Sequence, residues 1–148
     1  MISVKTDDKD IELLNYIYQN AEMGTIGIDN IEDKIEDLEF KELVGRQRDE
    51  YQDIMDRAID IFMKYGKDEK AIGTMPKIMS YIMVNAKTMT DHSVNILAKM
   101  MIEGSNKGII EIQEQLNAET TDDKEIINLA EKLLKTEQHN LEDLKPFL

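Results

Sequence analysis

Six polar residues lie in or beside the apolar stripes of helical sequence, and their types suit metal ligation or a hydrogen-bonded network. They are Glu22, Gln47, Glu50, Asn106, Glu137 and Asn140. Two of the intervals, 47–50 and 137–140, are three residues long, and side chains at that spacing lie on one face of a helix. Polar groups inside a helical bundle cost free energy unless they are paired. We therefore expect all six to meet in the bundle interior at one level along its axis.

The same positions coincide when one half of the chain is shifted onto the other. A shift of 84 residues places Glu22 on Asn106, and a shift of 90 residues places Gln47 on Glu137. The second shift also aligns the two polar pairs, because Glu50 then falls on Asn140. The apolar stripes coincide under the same shifts, so the sequence indicates two related helical hairpins.

This arrangement resembles the ferritin-like di-iron proteins, in which a Glu from each of two helices joins a Glu-x-x-His from each of the other two. Residues 20–27 read Asn-Ala-Glu-Met-Gly-Thr-Ile-Gly and resemble a ferritin-like first helix. Residues 130–148 resemble the last helix of small bacterial ferritin-like proteins. The resemblance implies an all-α, ferritin-like four-helix bundle of two helical hairpins, with a helical crossover between helices two and three. It also implies metal-ligand places at Glu22, Gln47, Glu50, Asn106, Glu137 and Asn140.

The ligand set departs from that family pattern, because both histidines and two of its four glutamates are replaced. Amides are poor substitutes for the carboxylate and imidazole groups that hold iron. The anionic candidates that remain are Glu22, Glu50 and Glu137, and a divalent metal could still lie among them and the amide oxygens. The alternative, which we favour, is a buried network in which the three amides satisfy the carboxylates and no cofactor is bound.

Four main helices are expected to position these residues within a single domain, 1–148. Apolar residues at three- and four-residue steps predict helix one at about 9–35, and a second helix that follows a connection at 36–38 and stops at Gly66. Pro76 favours the start of a short crossover helix near 76–88. A third main helix is expected near 91–117, and a turn at 118–123 precedes the last helix.

The remaining residues offer little catalytic chemistry. His139 lies two residues after Glu137, so it points in a different direction on the helix, and His92 lies near a helix start. We expect both histidines on the surface. No nucleophile has a base beside it, and the glycine-containing stretches match no phosphate-binding loop. We therefore expect no catalytic residue, and these residues favour a non-enzymatic protein over an enzyme.

Charge and composition restrict the class of partner. The formal net charge is −13, from 31 acidic and 18 basic residues, which disfavours binding to nucleic acid and to anionic membranes. The sequence has no cysteine, which excludes disulfides and thiolate metal sites. No apolar run approaches the length of a membrane span, and the acidic N-terminus does not resemble a signal peptide. A cytoplasmic protein is expected.

Three functional hypotheses follow. The first, which we favour, is a non-enzymatic ferritin-like protein that is structural or self-associating, a homo-oligomer whose di-metal centre has been lost. The second is a ferritin-like bundle that binds iron or another divalent cation through Glu22, Glu50 and Glu137, as an oxidase or an iron-handling protein. The third is an adaptor that presents a Met-rich helical surface, formed by residues between Met75 and Met101, to a protein partner.

Overall fold

The computed structural model of the chain describes residues 2–67, 90–118 and 121–148. Its main helices are α1 (Ile2–Ile31), α2 (Leu38–Lys64), α3 (Val94–Asn117) and α4 (Lys124–Leu144). Short 3₁₀ turns follow α1 at Glu32–Lys34 and α4 at Lys145–Phe147. These described ranges contain no β-strand, so the all-α class is confirmed. The predicted crossover helix at 76–88 lies outside them.

Local signals set the ends of the helices. Asp37 caps α2, because its side chain accepts a hydrogen bond of 2.8 Å from the main-chain N–H of Phe40. After α2, Gly66 has φ +72°, a left-handed conformation that favours glycine and stops the helix. Asp123 caps α4 by accepting hydrogen bonds from the main-chain N–H groups of Glu125 and Ile126.

Two predicted helix bounds differ from the structure. α1 starts at Ile2 and ends at Ile31, whereas the buried stripe predicted about 9–35. Ile35 is buried as expected, but its backbone is extended at φ −84° and ψ 119°, so burial continues beyond the helix. α3 starts at Val94 instead of near residue 91, because the Asp91 side chain accepts a hydrogen bond from the N–H of Ser93 and forms a turn before it.

The helices form two hairpins that pack together. α1 packs chiefly against α2 and α3 against α4, and α1 and α2 are joined by a connection short enough to make them antiparallel. α2 also packs against α4, and α1 against α3, so the helices follow the order α1, α2, α4, α3 around the core. α1 and α4 approach each other across the interior, which places their polar residues close together.

The core follows the expected stripe most closely on α2. Three- and four-residue steps predict a stripe that is buried at Phe40, Val44, Gln47, Tyr51, Ile54, Ala58 and Ile61. Tyr65, the last residue of that stripe, is only half-buried. At the other end of the chain, Leu148 continues the three- and four-residue steps of Leu141 and Leu144, which would place it in the core. It is 63% exposed, because the helix ends at Leu144 and gives way to a 3₁₀ turn. Phe147 contacts the core instead, with its ring 5.1 Å from that of Phe40.

Candidate functional site

Four helices bring a set of polar side chains into the centre of the bundle, which we call the buried polar layer. Its members are Asn20 from α1, Gln47 and Tyr51 from α2, Ser105 from α3, and Glu137 and Asn140 from α4. All six are buried, and Gln47 and Asn140 are completely inaccessible to solvent. Such a layer costs free energy unless its donors and acceptors are matched.

Two of the three amides in the layer are oriented by the main chain. The Nδ2 of Asn20 donates a hydrogen bond to the carbonyl oxygen of Gly108 at 3.1 Å, and the Nε2 of Gln47 donates to the carbonyl oxygen of Asn140 at 3.3 Å. A flipped amide would set its oxygen against a carbonyl oxygen, so these bonds fix both orientations. Within the described part of the chain, Asn20 Oδ1 and Gln47 Oε1 have no hydrogen-bond partner.

Glu137 is the acidic member of the layer, and it lies beside Tyr51. Burial raises the pKa of Glu137 well above its ordinary value of 4.5; a hydrogen bond from Tyr51 opposes that rise, and the charge of Glu111 adds to it. Burial also raises the pKa of Tyr51, and the nearby charge of Glu137 raises it further. Burial therefore favours the neutral form of both groups, and the Glu137 carboxyl holds its proton more strongly than an exposed carboxyl does.

A cavity of about 50 Å³ lies beside this layer. Asn20, Gln47, Tyr51, Ser105 and Glu137 form its polar side. The rest of its wall is apolar and consists of methionine, isoleucine and glycine residues. That volume has room for about three water-sized groups, so a small ligand can be accommodated.

Glycine allows the helices to approach closely around the layer. A Cβ atom added to Gly108 would lie 2.9 Å from both Asn20 Oδ1 and Glu137 Oε2, so the two oxygens converge on one point of the α3 backbone. A Cβ added to Gly24 would lie only 2.5 Å from the Tyr51 ring. Neither position has room for a side chain, and the geometry of the layer depends on both glycines.

The structure corrects the expectation that six predicted residues meet at one level. Gln47, Glu137 and Asn140 are buried together, as expected from their spacing. Asn106 is exposed, because α3 turns Ser105 and Gly108 towards the interior in its place. Asn106 therefore does not complete the polar layer.

The other two predicted metal ligands, Glu22 and Glu50, lie outside the cavity wall. Glu22 is half-buried, and burial raises its pKa. Glu50 lies in a surface groove with Lys132 and His139, where burial raises its pKa and the positive charges of Arg46 and His139 oppose that rise. Only Glu137 of the three predicted carboxylates faces the cavity.

Sequence reasoning missed Asn20, although a signal for it was present. A second series runs along α1 at three- and four-residue steps and consists of Ile17, Asn20, Gly24 and Ile28. It lies beside the apolar series that passes through Leu14, Tyr18 and Ala21. Asn20 is 2% exposed and lies on the interior face that this second series defines. The polar residue that α1 contributes is thus two positions before the predicted Glu22.

A di-iron centre does not fit the donors that the layer provides. Such centres use several carboxylates and imidazoles, whereas this layer holds one carboxyl group, three amides and two hydroxyls. Across the described ranges, no three His, Cys, Asp or Glu side chains are close enough together to hold a metal ion. His92 and His139 are both exposed, as predicted, and His139 pairs with Asp143 at 3.3 Å.

Comparison with protein-family models, curated proteins and solved structures found no match to this chain. The four helices of the described ranges also lack a segment with the length and apolar character of a membrane span.

Proposed function

We propose that the protein is a non-enzymatic, ferritin-like helical bundle with a structural role, in which a single buried carboxylic acid stands where related bundles carry a di-metal centre. The helix order α1, α2, α4, α3 supports this proposal, since it joins two hairpins side by side. The polar layer spans all four helices at mid-bundle, as a ferritin-like metal centre does.

The observation that carries the proposal is the surroundings of Glu137. Its polar neighbours in the layer are the amide of Asn20 and the hydroxyl of Tyr51, and neither supplies a second negative charge. A divalent metal ion is usually held in a protein by carboxylates or imidazoles that replace part of its hydration shell. One protonated carboxyl group cannot provide them, so a bundle of this kind is expected to fold without metal.

The hydroxyl groups of the layer do not favour catalysis either. Ser105 is buried beside Tyr51, whereas both histidines of the chain are on the surface. A serine hydroxyl without an adjacent base is a weak nucleophile. A structural role is therefore better supported than hydrolytic chemistry.

Metal titration of the purified protein tests this proposal. Under anaerobic conditions, we expect ferrous, cobaltous and manganous ions to bind no more tightly to the wild-type protein than to Glu137→Gln, and elemental analysis should find no stoichiometric metal. Calorimetry gives both the affinity and the stoichiometry. Stoichiometric metal that is lost in Glu137→Gln would contradict the proposal and favour the metal-binding alternative.

The other expectations from the sequence remain predictions. Most of the methionines of the proposed adaptor surface lie outside the described residues, while Met100 and Met101 form part of the cavity wall. Self-association into a homo-oligomer is open to sedimentation analysis over a range of concentrations.

A further inference from the structure

A second cluster of polar side chains lies at the end of the bundle where α2 stops and α4 begins. It consists of Asp10 from α1, Tyr65 directly after α2, Thr121 from the turn before α4, and Asp123 at the cap of α4. Asp10 is 3% exposed, and the other three residues are half-buried. We call these four residues the end cluster, which shares no residue with the buried polar layer.

The contacts of the end cluster form a closed circuit. The Thr121 hydroxyl donates a hydrogen bond to Asp10 Oδ1 and accepts one of 3.0 Å from the main-chain N–H of Asp123. The Tyr65 hydroxyl lies between the two carboxyl groups, 2.9 Å from Asp10 Oδ2 and also within hydrogen-bonding distance of Asp123 Oδ2. The circuit therefore connects α1, the end of α2 and the start of α4.

One contact in this circuit has no hydrogen when both carboxyl groups are ionised. A phenol has a single hydrogen, so Tyr65 can satisfy only one of the two carboxylates that it contacts. Burial raises the pKa of Tyr65, and its hydrogen bonds with Asp123 and Asp10 raise it further, so the phenol keeps this hydrogen. At the remaining contact, two oxygen atoms would face each other with no hydrogen between them. Such an unmatched acceptor costs free energy where solvent is excluded.

The surroundings of the two carboxyl groups indicate which one supplies the missing hydrogen. Asp123 Oδ1 accepts main-chain hydrogen bonds of 2.9 and 3.3 Å from Glu125 and Ile126, at the positive end of the α4 dipole, and both features favour its ionised form. Among the described residues, the partners of Asp10 are the hydroxyl groups of Thr121 and Tyr65. Asp10 is also the more buried of the two, so it is the better place for a proton.

Charged side chains near the end cluster are engaged elsewhere or exposed to solvent. On α2, Lys64 is affected by the charges of Asp60 and Asp123, but it pairs with Glu125 of α4 at 2.8 Å. The neighbouring charged residues on the other segments are exposed: Lys9 and Glu12 on α1, Lys67 after α2, Glu114 on α3, and Asp122 and Lys124 beside Asp123. A proton therefore fits the space between the two carboxyl groups better than a lysine does.

We propose that the end cluster is a pH-sensitive latch, in which Asp10 holds a proton and donates it to Tyr65, and Tyr65 donates to Asp123. In this closed form every contact of the circuit has one donor and one acceptor. As pH rises, the proton passes to solvent and leaves two negative carboxylates with one hydrogen between them, which weakens the attachment of α1 to the start of α4. This proposal goes beyond the structural role above and does not depend on it.

Urea unfolding of the full chain from about pH 4 to pH 9 tests the latch, with Asp10→Asn as the reference. The amide nitrogen can donate to Tyr65 in place of the carboxyl hydrogen while the amide oxygen accepts from Thr121, so this variant is closed at every pH. A proton that only the folded state holds stabilises it at low pH, and that contribution is lost as pH rises. We expect the unfolding equilibrium constant of wild type, relative to that of Asp10→Asn, to rise by up to about tenfold per pH unit until the folded protein releases the proton.

Two further variants complete the test. Asp122→Asn is the matched control, because it makes the same change at an exposed neighbour of Asp123, and wild type should show no such rise relative to it. Tyr65→Phe removes the hydroxyl between the carboxyl groups, and its unfolding constant at pH 4 should be about tenfold larger than that of wild type, with a smaller difference at pH 9. It also tests the latch if Asp10→Asn fails to fold. The proposal is wrong if the ratio of wild type to Asp10→Asn is the same at pH 4 and pH 9, or if Tyr65→Phe is as stable as wild type at pH 4.

Discussion

Gly24→Ala is expected to lower the free energy of unfolding by about 1–3 kcal/mol, the usual cost of overpacking a core. The added methyl group would lie 2.5 Å from one ring carbon of Tyr51 and 2.7 Å from another. Both atoms belong to a rigid, buried ring, so either the ring or the α1–α2 spacing must shift. Because Tyr51 also hydrogen bonds within the polar layer, the shift would disturb Glu137 as well. Urea denaturation followed by circular dichroism measures the change.

Gly45→Ala is the matched control for this substitution. Gly45 also lies within a helix, α2, but a Cβ atom there would meet no other atom within 4 Å. The same chemical change should therefore raise the free energy of unfolding by about 0.5–1 kcal/mol, through the better helix propensity of alanine. If both variants are stabilised, the close contact between α1 and α2 at Gly24 is not a feature of the folded protein.

A metal site should appear when three members of the polar layer are replaced by ligands. The variant Asn20→Asp, Gln47→Glu, Asn140→His keeps Glu137 and supplies three carboxylates and one imidazole from α1, α2 and α4. We expect cobaltous ion to bind this variant about a hundredfold or more tighter than wild type, since these ligands suit transition metals. Without metal, the added like charges should destabilise the fold, and cobalt should restore its stability by binding only the folded state. Cobalt absorption and thermal unfolding give the two readouts.

The control for this redesign uses ligands placed outside the bundle. Glu50→His with Asn106→Glu introduces similar residue types, but Glu50 lies in a surface groove and Asn106 is exposed. No gain in cobalt affinity is expected there. If the layer variant folds but does not bind cobalt, the geometry of the layer is contradicted. Equal cobalt binding by the two variants would also contradict that geometry, and either result would contradict the idea that the layer replaces a metal centre.

Much of α2 could be predicted from the sequence because its local and tertiary signals agree. Asp37 provides a cap, Gly66 a stop, and the apolar residues between them recur regularly, so that Gln47 was correctly placed in the core. On α4, the three-residue interval from Glu137 to Asn140 agrees with the burial of both side chains. The same interval on α2 failed for Glu50, which lies in a surface groove. In both helices the large apolar residues define one face.

Only part of the interior face of α3 could be derived in the same way. Ala98, Ser105 and Ile112 recur at seven-residue steps and are buried. Between 104 and 109 the sequence alternates small, polar and apolar residues, so an interior face through Ile109 and one through Gly108 are both consistent with its periodicity. The choice depends on a tertiary contact, the close approach of Gly108 to Asn20 and Glu137. For the same reason Asn106 was misplaced. The cavity is likewise a property of how four helices fit together, which no single helix pattern encodes.

The central claim is that Glu137 is a buried neutral acid, and the pH dependence of stability tests it most directly. Urea unfolding of wild type and of Glu137→Gln should be compared from about pH 5 to pH 9, because the amide has the shape of the protonated acid and does not titrate. The contribution of Glu137 to stability is fully present below its unfolded pKa of about 4.5 and is lost as pH rises through its higher folded pKa. Other half-buried glutamates, such as Glu22 and Glu50, are common to both proteins, so their effects largely cancel.

We therefore expect the unfolding free energy of wild type, relative to Glu137→Gln, to fall as pH rises above about 4.5, by up to about 1.4 kcal/mol per pH unit until Glu137 ionises in the folded state. A difference that stays constant with pH, or that increases as pH rises, would show that Glu137 is ionised in the folded protein and would contradict a neutral acid at the centre of the bundle.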